Sequence, residues 1–147
     1  MCIFPRGSFF GEKLDPADAY GYIKYVGTLW TSSLARMHPN IEFISVSPGA
    51  TKGTAVADDI PPMMKFMFKY VMFPIVMPLR GMVHGLEKGA ARYVKALNDE
   101  TYKSGEFYAS HDGKVTGPLV EQGTIFADLK NPTYQDNANE AIHRFLS

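Results

Sequence analysis

A tyrosine and a lysine four residues apart, Tyr20 and Lys24, are the pair whose types and spacing point most directly to a reaction. On a helix, residues i and i+4 lie on one face, a turn apart. A phenol ordinarily titrates near pH 10 (about 10), too high for efficient proton exchange at neutrality. A neighbouring ammonium favours the phenolate and lowers that value. A shift of roughly 2 units corresponds to roughly 3 kcal/mol, within reach of a close and partly buried pair. Such a tyrosine can give a proton to a carbonyl oxygen, or take one from an alcohol, while hydride moves at the carbon. The spacing alone is weakly selective, because a surface lysine beside a half-buried tyrosine satisfies it too.

The elements that must position this pair are legible on both sides of it. Asp15 suits a helix N-cap and Pro16 the first helical position, where the missing N–H costs nothing. Asp18 places negative charge in the first turn, as the helix dipole favours. Ala19, Ile23, Val26, Trp30 and Leu34 recur at helical spacing and predict one inward stripe. The helix is expected to stop near His38, because Pro39 disfavours helical geometry just before it. Ile41 to Val46 reads as a mostly buried strand, closed by Pro48 and Gly49.

This order of a Tyr-x-x-x-Lys helix, a buried strand, Pro-Gly and threonines resembles the short-chain dehydrogenase/reductase family. The matching residues are Tyr20, Lys24, Pro48, Gly49 and Thr51, with Thr54 a looser match. The resemblance implies that Tyr20 is the catalytic acid/base and that Lys24 holds the nicotinamide ribose and tunes Tyr20. It implies nicotinamide contacts from the turn carrying Pro48, Gly49, Thr51 and Thr54, and a cofactor that is NAD or NADP. Ser8, twelve residues before Tyr20, is its candidate for the serine that polarises the substrate carbonyl. Read from its neighbours, Ser8 is a loop serine, without the run of β-forming residues that would set it at a strand end.

Two further segments carry competing readings. Residues 49–55, Gly-Ala-Thr-Lys-Gly-Thr-Ala, follow a strand and resemble a dinucleotide phosphate loop. Pro48 stiffens that turn, Ala55 stands where a third glycine is needed, and no acidic residue follows at the ribose distance; the nicotinamide-turn reading is preferred. Residues 57–82 are rich in Met and Phe and broken by Pro61, Pro62, Pro74 and Pro78. Their lysines and prolines exclude a membrane span. Such an adaptable surface suits a lid over an apolar substrate, a subunit contact or shallow membrane attachment; the resemblance favours the substrate lid, and ordinary core packing is the plain alternative.

Further on, Leu86 to Asn98 keeps a helical period through Leu86, Ala90, Tyr93, Val94 and Leu97. Glu87, Lys88, Arg92 and Lys95 read as its solvated face. Glu106 to Ser110 reads as a short strand, Val115 to Val120 as irregular around Gly117-Pro118, and Asn131 to Asn139 as a polar loop before a closing helix at Glu140 to Phe145. Tyr108, Ser110 and His111 are further residues placed to meet a ligand.

At 147 residues the chain is expected to be one domain, 1–147, with an ordinary core at 46% hydrophobic residues. Lys+Arg and Asp+Glu both total 15, so the balance argues against nucleic acid as a partner. One cysteine, Cys2, forbids an internal disulfide and fits a reducing, cytoplasmic setting. The four histidines show no metal-ligand spacing. The predicted class is α/β, a partial Rossmann-like parallel sheet with flanking helices. With two confident strands and no G-x-x-x-G-x-G, the expectation is the C-terminal half of the resembling fold, truncated and inactive alone or completed by an N-terminal half. The expected function is interconversion of an alcohol and a carbonyl on a small apolar substrate, in a homo-oligomer. The alternative is a non-enzymatic binding or oligomerisation module derived from that fold.

Overall fold

The structure, a computed structural model, describes residues 16–51, 84–112, 114 and 116–146. Its elements are helix α1 (Pro16–Met37), strand β1 (Ser45–Val46), helix α2 (Leu86–Asn98), strands β2 (Phe107–Ser110) and β3 (Leu119–Glu121), and helix α3 (Pro132–Leu146). Short 3-10 turns at Gln122–Thr124 and Ala127–Lys130 lead into α3. The class is mixed α/β.

The three strands are ordered β1-β2-β3. The Ser45 N–H donates to Glu106 O at 3.1 Å and the Ser47 N–H to Tyr108 O at 2.9 Å. Partners that advance together mark β1 and β2 as parallel. The sheet as a whole is mixed, where the sequence predicted parallel strands throughout. The connection at 111–118 explains the difference, being too short for the crossover of a dozen or more residues that a parallel neighbour requires.

The chain divides into two compact units. The first comprises residues 1–45, 102–107 and 121–147. Its core is Leu29, Leu129 and Ala138, against which Tyr25, Val26, Phe107 and Phe126 pack. Polar ties fix α3 on α1. Arg36 Nε donates to Gln135 Oε1 at 2.8 Å, its guanidinium also pairs with Asp136, and Gln135 Nε2 donates to Leu129 O at 2.7 Å. Ser33, fully buried, donates to Asp136 Oδ1 at 3.4 Å. Gly105 adopts φ +84°, a left-handed geometry that glycine alone takes without strain, and its carbonyl accepts from Ser32 Oγ at 2.7 Å. Thr28 and Thr31 donate to carbonyls one turn back, which lets these hydroxyls sit mid-helix without loss of pairing.

The inward stripe of α1 matches the predicted one in part: Ala19, Val26, Trp30 and Leu34 are half-buried, and Val26 packs against the core. Ile23 is 71% exposed, and burial centres on Leu29, Ser32 and Ser33. β1 is shorter than Ile41–Val46 because a tight turn intervenes: Ile41 N–H donates to His38 O, and the Ile41 side chain faces water. Asn131 to Asn139 is not a loop. Asn131 Oδ1 accepts from the Thr133 N–H at 3.0 Å and Pro132 opens α3, an N-cap and first-position pair like Asp15-Pro16 in the sequence.

The second unit comprises residues 46–101 and 108–120. In it α2 has the predicted bounds but presents the opposite face. Gly89, Arg92 and Ala96 are buried, whereas Leu86, Tyr93, Val94 and Leu97 are exposed. The supposed solvated arginine is therefore an interior residue. No helix among the described residues is long and apolar enough to cross a membrane.

Candidate functional site

Tyr20 and Lys24 share one face of α1, in the first unit. Lys24 Nζ lies over the Tyr20 ring, 5.4 Å from its centroid. A cation at that distance is attracted by the ring's π face, worth about 0.5–1 kcal/mol at an exposed site. The contact places the ammonium over the ring while Lys24 itself stays exposed. Tyr20 is 60% exposed, so its ring and hydroxyl are open to a ligand. Gly27 continues the same face one turn beyond Lys24. Among the described residues, a Cβ added there would meet nothing within 4 Å, and the same holds at Gly21.

Pro48, Gly49 and Thr51 belong to the second unit, in the turn that follows β1. Gly49 has φ +73°, so the turn is built on a residue type that tolerates the left-handed region. The carbonyls of this turn point at donors. Ser47 O accepts from Arg92 Nη1 at 3.1 Å, Pro48 O from His84 Nε2 at 2.7 Å, and Ala50 O from the His84 N–H at 3.0 Å. A carbonyl can only accept, so His84 carries its proton on Nε2 toward Pro48. Thr51, buried, places its hydroxyl 3.4 Å from Gly49 O and 3.5 Å from Pro48 O, and forms a parallel bridge with His84. Gly49 N–H donates to Ser47 Oγ at 3.2 Å.

Arg92 carries this network further. It is 8% exposed, and its Nη2 also donates to Ser110 Oγ at 2.9 Å and to Gly117 O at 2.6 Å. One guanidinium thus ties the turn after β1 to the end of β2 and to the loop before β3. Gly89 lets α2 approach: a Cβ there would lie 2.8 Å from Thr51 Oγ1, closer than real Cβ contacts come. His84, Gly89 and Arg92 were not among the sequence-predicted site residues. The signal for the latter two was present in the spacing of Gly89, Arg92 and Ala96, two small residues and one long donor on a single helix face.

Tyr20 and Lys24 are brought together in one unit, and Pro48, Gly49 and Thr51 in the other. Ser110 and Tyr108 are both buried, Ser110 as an acceptor for Arg92, while His111 is exposed. Ser8, Thr54 and the expected lid at 57–82 lie outside the described residues. Among the described residues no group of three His, Cys, Asp or Glu side chains is placed to hold a metal.

No protein-family model matches this chain, and no curated protein matches it either.

Proposed function

We propose that the chain is an oxidoreductase that interconverts an alcohol and a carbonyl with NAD or NADP, on a partly Rossmann-like scaffold. The observation that carries this reading is the Tyr20–Lys24 pair, with its ammonium held over an exposed phenol. The parallel β1–β2 pair and the left-handed glycine in the turn after β1 support it. In this reading Tyr20 gives or takes the proton at the substrate oxygen. Lys24, with three N–H donors and an exposed position, holds the ribose hydroxyls. The turn at Pro48, Gly49 and Thr51 meets the nicotinamide end, and Thr54 and Ser8 are assigned with it from the sequence. What supports such a group is, in the first unit, the Lys24 ammonium over the Tyr20 ring and, taken by itself, a turn in the second unit that is held by several donors. When bound, the cofactor supplies or accepts the hydride.

The test is reduction of a panel of apolar ketones, followed by nicotinamide absorbance with NADH and with NADPH. Turnover that Tyr20→Phe removes supports the reading. Turnover unchanged by that substitution overturns it. The second reading, a non-enzymatic binding or oligomerisation module, is favoured by the exposed apolar residues of α2. It gains if the folded chain binds neither cofactor and its oligomeric state rises with concentration.

A further inference from the structure

We infer that Gly89 and Arg92 of α2, together with His84, are positioning residues for the turn at 48–51, and that they set how tightly the nicotinamide end of the cofactor is held. The ligand in this inference rests on the oxidoreductase reading, whereas the positioning itself rests on geometry alone. Three donors, Arg92 Nη1, His84 Nε2 and the His84 N–H, engage the carbonyls of Ser47, Pro48 and Ala50. With three of four consecutive carbonyls accepting from fixed donors, rotation of these peptide planes breaks a hydrogen bond at nearly every step. The turn is held in one orientation before any ligand arrives, which spares a ligand the cost of ordering it.

The three residues contribute differently. The planar fork of Arg92 reaches Ser47 O, Ser110 Oγ and Gly117 O at once, a geometry that the single ammonium of lysine does not reproduce. The arrangement is demanding, because loss of the buried guanidinium takes the donor from two part-buried backbone carbonyls and from the buried Ser110 hydroxyl. His84 acts through Pro48 and also pairs with Thr51 through the isolated bridge. Gly89 acts by being small. Its hydrogen, where any other residue has Cβ, lets Thr51 Oγ1 stay within reach of Gly49 O and Pro48 O.

Gly89 gives the decisive variant, because helix propensity and positioning pull in opposite directions there. Gly89→Ala improves the helix by up to about 1 kcal/mol in intrinsic propensity. Its new methyl would lie 2.8 Å from Thr51 Oγ1 and 3.2 Å from Thr51 Cγ2, so the Thr51 side chain must shift. The experiment measures amide hydrogen exchange at Ser47, Gly49, Ala50 and Thr51 in the full chain, for wild type, Gly89→Ala, Arg92→Lys and Arg92→Met. NADH and NADPH are titrated against the same four proteins. The expected result is exchange in the turn faster by roughly tenfold or more in Gly89→Ala and Arg92→Met, with partial recovery in Arg92→Lys. The amides of α1 and α3 keep wild-type protection. The cofactor that wild type binds is then held roughly tenfold more weakly by Gly89→Ala, and KM for it rises more than kcat falls. Wild-type exchange at the turn in Gly89→Ala overturns the inference, even where Arg92 variants fold poorly. Altered exchange with undiminished affinity for a cofactor that wild type binds overturns its functional half. Failure of wild type to bind either nucleotide removes the oxidoreductase reading and with it that half, while the exchange data still decide the positioning.

Discussion

Tyr20 stands where a reactive side chain can be altered at little cost to folding. Its ring is mostly in water and its contact is a cation over the π face, which phenylalanine retains. Tyr20→Phe is therefore expected to change stability by no more than about 0.5 kcal/mol. Loss of a positioned proton donor lowers a rate by roughly 10²–10⁴-fold. Carbonyl reduction and thermal melting of the same preparation check both halves. A second phenol on this helix behaves in another way. Burial raises the Tyr25 phenol above its ordinary value, and the nearby Asp128 carboxylate and then Tyr134 raise it further. A folded-state value above the unfolded one means that the folded chain holds this proton more tightly. The resulting stability is complete below the unfolded value, near pH 10 (about 10), and is lost as pH climbs through the folded value. Denaturant melts at rising alkaline pH are expected to show a decline that Tyr25→Phe makes shallower.

At the scale of elements, the helices show what periodicity reveals and what it leaves open. Leu86 to Asn98 was legible as α2 to the residue, since its apolar period and its ends agree. Which face packs was not legible, because Gly89 and Ala96 bury themselves by allowing close approach and Arg92 by satisfying carbonyls, none of which a hydropathy pattern registers. On α1 the predicted stripe holds in part, with Val26 against the core, while Ile23 is exposed and the deepest burial falls on Leu29 with two serines. β3 escaped notice beside Gly117 and Pro118, and α3 because its polar composition hid the Asn131-Pro132 start. Of the candidate site, the Tyr20–Lys24 pair and the turn glycine could be read directly from spacing. The donors that hold the turn come from a distant helix and could not. Two substitutions separate the faces. Leu29→Ala removes the centre of the first unit's core and is expected to cost about 2–5 kcal/mol. Leu97→Ser, on the apolar but 83% exposed face of α2, should stay within about 0.5 kcal/mol. Chemical denaturation of both variants gives the comparison.

For the whole molecule, the path of the chain matters more than its balanced charge. The backbone passes between the two compact units at 45/46, 101/102, 107/108 and 120/121, so neither unit is one continuous segment. Within the first unit, Gly105 N–H donates to Phe43 O at 2.8 Å and Ser32 Oγ to Gly105 O. These bonds pin both ends of residues 46–101. Were the second unit to unfold while the first stayed folded, that segment would be released only as a closed loop. Closure withholds about 3–4 kcal/mol of chain entropy from a loop of such length. That penalty opposes independent melting, and with stabilities of this order a single cooperative transition is expected. Trp30, the one tryptophan, reports on the first unit. A Trp30→Phe, Tyr93→Trp variant moves the probe to an exposed position in the second. Coincident denaturant midpoints for the two probes are the expected outcome. Midpoints that separate, with the second unit melting first, would mean that bonds within it such as those of Arg92 are weaker than the closed-loop penalty requires.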